Sequence, residues 1–451
     1  MIKVCDMIMG GGKSSAAITY MNEHPDKKFI YITPRLDECD RIFTDCASLN
    51  FIEPDAHKGR GSKVRHTEEL IAKGQNIATT HQAFIYYTDR MNELIKNQHY
   101  TLIVDEAVEM LYDLDLTDSD FKVLERSGEL QKSDDGTYHS DDDSYVDGKF
   151  NLVLEIARTR KIFRFVDIGD PDSESGKQDK YSTMYSWLVP PEAFDSFDDV
   201  FVLTYLFRGS SMYAMLKIYR LDFKYIYVTR DKDGVSRFTD DKSIRYEPDY
   251  VKTLSSKIDI VENKYLNDVG NRRNALSASW MKNHTSGSKE IITLKNNIVN
   301  LYTNIWKGND ANIKTRMWST YGKSKHKLKG KKYTGAFVPL NTRATNKYHN
   351  ARYLVYACNV FANPFMKNAY RNHGADLNDD IYALSMMIQW IWRSAIRDAS
   401  NPRKVITANP DDPYLIHLYL PSKRMRGLLK DWMKSLEEGG SVYGGDDTQV
   451  Q

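Results

Sequence analysis

Short apolar runs alternate with helix-like amphipathic stretches along the first 110 residues. The runs have the length of buried strands: "IKVCDMIM" (2–9), "KFIYITP" (28–34), "QNIATTH" (75–81) and "YTLIVDEA" (100–107). The stretch at 13–24 between the first two has the polarity pattern of a helix. Strands that alternate with helices predict βαβ units and a parallel sheet covered on both faces. "DDVFVLTYLF" (198–207) predicts a further strand of the same sheet.

A second series of alternating elements predicts another α/β domain. Strands are expected within 223–229, 352–361 and 414–420, and helices at 268–284, 289–306, 379–398 and 422–436. We place the domains at 1–212 and 213–438, followed by a Gly- and Asp-rich tail, 439–451, that we expect to be flexible. The acidic, turn-rich stretch at about 112–150 is expected to be a surface insertion in the first domain.

Composition and charge exclude several broad classes of protein. The chain has 451 residues, 41% of them hydrophobic, so it can bury sizeable cores. A net charge of +2 predicts no global attraction to nucleic acid, so any basic surface must be local. The four cysteines form no CxxC pair, which favours buried thiols over a zinc site. No apolar stretch reaches 18 residues, so no membrane partner is expected.

The segment "GGGKSS" (10–15) has the composition of a phosphate-binding loop. It follows a predicted strand and opens a predicted helix, whose N-terminus favours anions. Lys13 would reach the β- and γ-phosphates, and Ser14 would hold Mg²⁺. A plain glycine-rich turn is the alternative for this stretch taken alone. The candidate nucleotide-binding residues are Gly10, Gly11, Gly12, Lys13, Ser14 and Ser15.

Paired acids at the end of another predicted strand favour the phosphate loop over the turn. Asp105 and Glu106 follow the apolar run "TLIV", and ligands of open α/β sheets bind at the carboxyl ends of strands. Asp105 would hold Mg²⁺, and Glu106 would activate water. Together the two motifs predict a P-loop NTPase with ATP and Mg²⁺ as cofactors.

Gln389, Arg393 and Arg397 recur every four residues, which on a helix places them on one face. Arg binds phosphate oxygens well, and an Arg from a second domain can stabilise the transferring phosphoryl group. Trp390 and Trp392 indicate a packed helix rather than one that faces solvent.

These motifs resemble those of superfamily 2 DNA helicases encoded by tailed bacteriophages. "MGGGKSS", "DEAVE" and "QWIWRSAIR" resemble motifs I, II and VI, and "TPRLDECDR", "TTHQAF", "LTYLFRGS" and "FVPLNTRATN" lie where the intervening motifs belong. The resemblance implies two RecA-like domains with parallel sheets, a helicase core and action in the bacterial host cytoplasm. The spacing of motif VI departs from the family pattern, so whether Arg393 or Arg397 meets the γ-phosphate stays open.

The same resemblance implies a groove for single-stranded or forked DNA, contacted through its sugar-phosphate backbone. Its candidate residues are Thr33, Arg35, Thr80, His81, Thr342, Arg343, Thr345 and Asn346. A DNA helicase or translocase in phage replication, with phage replication proteins as partners, is the expected function. An origin-melting or switch ATPase and an RNA helicase remain alternatives. A packaging motor of terminase type is disfavoured because the second half carries the Gln-Arg-Arg pattern.

Overall fold

The computed structural model describes residues 1–59, 61–145, 147–167, 182–306, 313–342, 347–372, 374–396 and 415–445. Arg343, Thr345, Asn346 and Arg397 lie outside the described residues. The described strands are β1 (Ile2–Asp6), β2 (Lys28–Thr33), β3 (Ile77–Thr80), β4 (Tyr100–Asp105), β5 (Leu111–Leu114), β6 (Gln131–Lys132), β7 (Tyr138–His139), β8 (Ile162–Asp167), β9 (Ser182–Leu188), β10 (Asp199–Thr204), β11 (Phe223–Tyr225), β12 (Tyr227–Arg230), β13 (Ser236–Thr239), β14 (Ile258–Ile260), β15 (Arg316–Ser319), β16 (Tyr353–Tyr356) and β17 (Ile416–Tyr419). The described α-helices are α1 (Lys13–Glu23), α2 (Cys39–Asp45), α3 (Lys63–Ala72), α4 (His81–Phe84), α5 (Asp89–Gln98), α6 (Asp118–Arg126), α7 (Asn151–Thr159), α8 (Glu192–Asp195), α9 (Ser211–Ile218), α10 (Lys264–Asn267), α11 (Ala278–Asn283), α12 (Lys289–Asn300), α13 (Lys325–Leu328), α14 (Pro364–Asn372), α15 (Asp379–Ile391) and α16 (Lys423–Glu437).

The first sheet is parallel throughout, with strand order β11-β1-β10-β4-β2-β3. Strand β10 lies between β1, which leads into the glycine-rich loop, and β4, which ends in Asp105. Parallel strands place their carboxyl ends at one edge, so this order brings the two motifs together. The predicted α/β class with a parallel sheet is confirmed.

The second sheet is also parallel, with order β14-β17-β16-β15. Its first strand begins at Ile258, whereas the last strand of the first sheet, β11, ends at Tyr225. The expected boundary at 212/213 therefore precedes the final strand of the first sheet. Along the chain, the two sheets are separated by an antiparallel pair of strands, β12 and β13, which we call the linker hairpin (residues 227–239). The two-sheet arrangement is consistent with two RecA-like domains.

The acidic stretch is part of an insertion in the first domain, as predicted, but the insertion is a folded unit that extends beyond 112–150. Strands β5 to β9 form an antiparallel sheet of order β5-β9-β8-β7-β6, inserted between β4 and β10. Phe121 stacks on Tyr185 with ring centroids 4.3 Å apart, and both side chains are buried. The acids dominate the composition, but apolar residues spaced between them supply a core.

The chain end returns to the first sheet, which corrects the expectation of a flexible tail for residues 441–445, here called the C-terminal segment. Ile8 N donates to Val442 O at 2.9 Å, and Gly444 N donates to Asp6 O at 2.9 Å. Tyr443 is buried, and its hydroxyl donates to Tyr246 O at 2.9 Å. The segment thus pairs with the backbone just before the glycine-rich loop.

One continuous apolar cluster joins the two sheets. It includes Tyr31 and Phe201 of the first sheet and Leu354, Trp390 and Trp432 of the second half. The Trp432 indole donates to the Tyr205 hydroxyl at 2.9 Å across this contact. The carboxyl edge of the first sheet therefore faces the second domain rather than open solvent.

Candidate active site

The glycine-rich loop has the backbone geometry of an anion site. Gly10 and Gly12 have φ angles of 79° and 93°, in the left-handed region that favours glycine. Gly11 packs on Met7, whose side chain would lie 2.4 Å from a Cβ at that position. Helix α1 follows directly, with no side-chain cap on its first turn. Its first N–H groups and dipole are thus available for a phosphate.

Lys13 lies inside the loop. Its Nζ donates to the carbonyl oxygens of Met7 and Ile8, at 2.5 and 3.2 Å. Burial lowers the pKa of Lys13, while nearby Cys5 and Asp105 raise it. The loop backbone therefore fixes the position of the Lys13 amine, and its contact with a phosphate stays a prediction.

Asp105 is fixed by several partners at the end of β4. Tyr31 OH donates to Oδ2 at 2.8 Å, and Ser14 Oγ donates to Oδ1 at 3.5 Å. His81 Nε2 lies 2.9 Å from the Asp105 carbonyl oxygen. Burial, with a contribution from Glu106, raises the pKa of Asp105, and the Tyr31 hydrogen bond lowers it. The Ser14 hydroxyl and the Asp105 carboxylate are adjacent oxygen groups, and oxygen groups are the ligands that Mg²⁺ prefers.

Glu106 has a strained backbone and an ionic partner from the other domain. Its φ of 66° is unusual for a residue with a side chain, and its N–H donates to Leu203 O at 2.9 Å. Arg393 Nη2 donates to Glu106 Oε1 at 3.3 Å. The side chains are only 9% and 21% exposed, so this ion pair is poorly screened by solvent.

The sequence predicts a helix that continues through Arg393, but the segment that carries Arg393 is not helical. Helix α15 ends at Ile391, and Arg393 lies in the following turn, where its N–H donates to Trp390 O at 3.1 Å. Trp390 and Trp392 are buried, as their apolar character predicted. The two tryptophans anchor the turn in the core of the second domain, which directs the Arg393 guanidinium back across the cleft.

These groups line one cavity of about 690 Å³ between the two sheets. Gln389 also lines it, and its Nε2 donates to Ser385 Oγ at 3.5 Å. Several further lining residues were not among the candidate site residues, including Tyr31, Glu38, Arg41, Arg230 and Lys347. Burial, with a contribution from Asp105, raises the pKa of Glu38 to about 7. None of the five belongs to a phosphate or acid motif, so only the fold brings them to the cavity.

The expected nucleic-acid residues fall into two groups. Thr33 and His81 are buried, with Thr33 Oγ1 donating to Glu38 at 2.6 Å and His81 against Asp105, so the structure gives both side chains internal partners. Thr80 caps α4, and Arg35 is exposed beside Asp37. The backbone N–H of Thr342 donates to Pro339 O in a turn. Contact of these residues with a strand stays a prediction.

The fold and the site together define an α/β protein with two parallel sheets and a phosphate-type loop at their junction. Residues 252–433 match the family model described as the YonV C-terminal Rossmann-like domain. The chain is 33% identical over 444 residues to the SPbeta prophage-derived uncharacterized protein YonV of Bacillus subtilis strain 168, covering 96% of this chain and 99% of that protein. The chain therefore belongs to the YonV family.

A solved structure of S. tokodaii Xpd4 is 11% identical and covers 96% of this chain and 94% of that chain, with a TM-score of 0.35. That score is too low for the likeness to bear on function. Among the described residues, no helix combines the length and apolarity needed to cross a membrane.

Proposed function

We propose that this protein is an ATP-dependent motor that acts on nucleic acid, with single-stranded or forked DNA as its track. The observation that carries the proposal is the Arg393–Glu106 contact, which joins the two domains at the cavity beside the phosphate loop. A site assembled from two domains makes hydrolysis depend on their relative position. That dependence is what a motor needs to convert turnover into movement.

The side chains of the sequence motifs that line the cavity each have a role in this proposal. The α1 N-terminus and Lys13 bind the phosphate chain. Ser14 and Asp105 hold Mg²⁺, which neutralises charge on the phosphates when bound. Glu106 accepts a proton from the attacking water, and Arg393 stabilises charge on the transferring phosphoryl group. Gln389 lies on the same wall of the cavity and orients the water or the γ-phosphate.

The described arrangement corresponds to a resting state in this mechanism. Arg393 donates to Glu106 Oε1, so this oxygen is occupied by the guanidinium while the ion pair persists. A γ-phosphate in the cavity offers Arg393 a more highly charged acceptor. When the Arg393 guanidinium moves from Glu106 to this phosphate, the Glu106 carboxylate is released to act as the base. Nucleotide binding and activation of the base are thereby coupled through one guanidinium.

The prophage-derived relative supports a phage origin for this chain. The proposal extends this to DNA replication in the host cytoplasm, alongside phage replication proteins. The second domain also carries a lysine-rich segment, 323–332, whose Lys323, Lys329, Lys331 and Lys332 are exposed. Exposed lysines bind phosphates without sequence preference, which suits a track of any sequence.

ATP turnover with no nucleic acid, with single-stranded DNA and with single-stranded RNA tests the proposal. Glu106→Gln serves as the blank, since it keeps the side-chain volume and removes the base. We expect stimulation by DNA well above basal turnover. Stimulation by RNA alone would move the function to RNA remodelling, and turnover that ignores both would contradict a nucleic-acid motor.

Strand displacement separates a helicase from a switch. Substrates with a 5′ or a 3′ single-stranded tail are incubated with ATP, and release of the labelled strand is measured. We expect release from one of the two tailed substrates and none from a blunt duplex. DNA-stimulated turnover without any displacement would instead favour the origin-melting or switch ATPase.

A further inference from the structure

The linker hairpin packs against the phosphate loop. Strand β13 contacts α1, and a Cβ on Gly12 would lie 2.8 Å from Ser236 Oγ and 3.7 Å from Arg230 Nη2. The Tyr250 hydroxyl, farther along the same linker, donates to Met9 O at 2.5 Å. The chain between the two sheets therefore forms a wall of the site, although it carries no recognisable phosphate motif.

Arg230 is the residue of this wall that lines the cavity, together with Lys13 and Arg393. Its Nη1 donates to the Tyr246 hydroxyl at 3.0 Å, and its guanidinium lies 4.2 Å from the centre of the Tyr246 ring. Its Nε is buried and has no hydrogen-bond partner among the described residues. The Tyr246 contact fixes the plane of the guanidinium and leaves a buried donor unused.

Arg237 of the same hairpin shows the contrast. It is 43% exposed and pairs with Glu23 at 2.8 Å and with Asp231 at 2.7 Å. These pairs tie the hairpin to α1 and across its own turn. Arg237 therefore has the partners of a structural arginine, whereas Arg230 is supported by an aromatic ring and its Nη2 lies beside the loop.

We propose that Arg230 is a further nucleotide-binding residue, one that donates to the phosphate oxygens held by the loop. The inference rests on the proposed function, because it takes the loop as a nucleotide site. A planar guanidinium matches phosphate geometry, and hydrogen bonds between two charged groups are among the strongest in proteins. Because Arg230 lies in the linker, the bound phosphate chain also fixes the segment that connects the two sheets.

The test measures dissociation constants of the full-length protein for ATP, ADP and inorganic pyrophosphate with Mg²⁺ present. Wild type, Arg230→Ala, Arg230→Lys and the control Arg237→Ala are compared, and melting temperature is recorded with and without each ligand. We expect Arg230→Ala to weaken all three by about tenfold or more, with an unchanged melting temperature for the free protein. Arg230→Lys should bind with intermediate affinity, and Arg237→Ala should match wild type.

Four outcomes would count against the inference. Weaker ATP and ADP binding with unchanged pyrophosphate binding would place Arg230 on the base or ribose. A lower melting temperature of the free protein with unchanged affinities would make Arg230 a support for Tyr246 only. Absence of nucleotide binding by wild type would remove the proposed function itself, whereas wild-type binding with an unaffected Arg230→Ala would remove this inference alone.

Discussion

At the scale of the residue, the site depends on how Asp105 is held. Its side chain accepts hydrogen bonds from Tyr31 of β2 and from Ser14 of α1. The motif residues were predictable because phosphate and Mg²⁺ chemistry requires particular residue types at fixed spacing. Tyr31 was not, because nothing in "KFIYIT" distinguishes a tyrosine that packs from one that bonds a carboxylate across the sheet.

Replacing Tyr31 with Phe tests this hold on Asp105. The ring stays, while the donor to Oδ2 is lost, so the carboxylate is less well oriented toward the metal. We expect the Mg²⁺ concentration for half-maximal ATP turnover to rise by about tenfold. Tyr87→Phe is the control, because the Tyr87 hydroxyl is buried without a partner among the described residues. An unchanged Mg²⁺ titration in Tyr31→Phe would show that the hydrogen bond does not position Asp105.

The cysteines give a residue-scale prediction that is independent of function. All four are buried and unpaired, and burial raises the pKa of Cys5 and Cys39 to about 12 and that of Cys46 to about 11. Their thiols stay protonated at pH 8, and the thiolate is the reactive form. We expect Ellman's reagent to react at least about 100-fold more slowly with the native protein than with the unfolded chain. Rapid reaction of any thiol in the native state would be inconsistent with this burial.

At the scale of the element, the strands of the first sheet were predictable, because each is a short apolar run between turns. The run at 223–229 was predicted as one strand of the second domain, yet its first part joins the first sheet and its second part begins the linker hairpin. Helix α15 ends before Arg393, although the helix-like spacing of apolar residues continues beyond it. Such divisions depend on tertiary pairing, which periodicity does not encode.

The C-terminal segment was also unpredictable, since its Gly- and Asp-rich composition is typical of a frayed end. Its contacts predict that ending the chain after Gly439 destabilises the protein, because buried Tyr443 and the bonds to Ile8 and Asp6 are lost. Loss of a buried aromatic costs about 3–5 kcal/mol. Chemical unfolding should show a free energy of unfolding that is lower by this amount in the truncated chain.

A chain that ends after Gly445 is the control for the truncation. It keeps every contact of the C-terminal segment described above and should unfold like the full-length protein. Equal stability of the two truncated chains would mean that the segment does not brace the phosphate loop.

At the scale of the whole molecule, the two sheets share one apolar cluster and one cavity. The sequence alone indicated both halves of the site, the loop with its acids and the arginine pattern. It did not indicate that Arg393 rests on Glu106, because that contact depends on how the domains pack. The proposed mechanism depends on the interdomain ion pair between Arg393 and Glu106, which can be tested directly.

The decisive measurement is steady-state ATP turnover with saturating single-stranded DNA for wild type, Arg393→Ala and the control Arg371→Ala. Arg371 lies on α14, its side chain is 63% exposed, and it does not line the cavity. An arginine that stabilises the transferring phosphoryl group contributes about 10³-fold or more to turnover. We predict a loss of that size for Arg393→Ala and full activity for Arg371→Ala. Turnover by Arg393→Ala at the wild-type rate would contradict a catalytic site completed by the second domain.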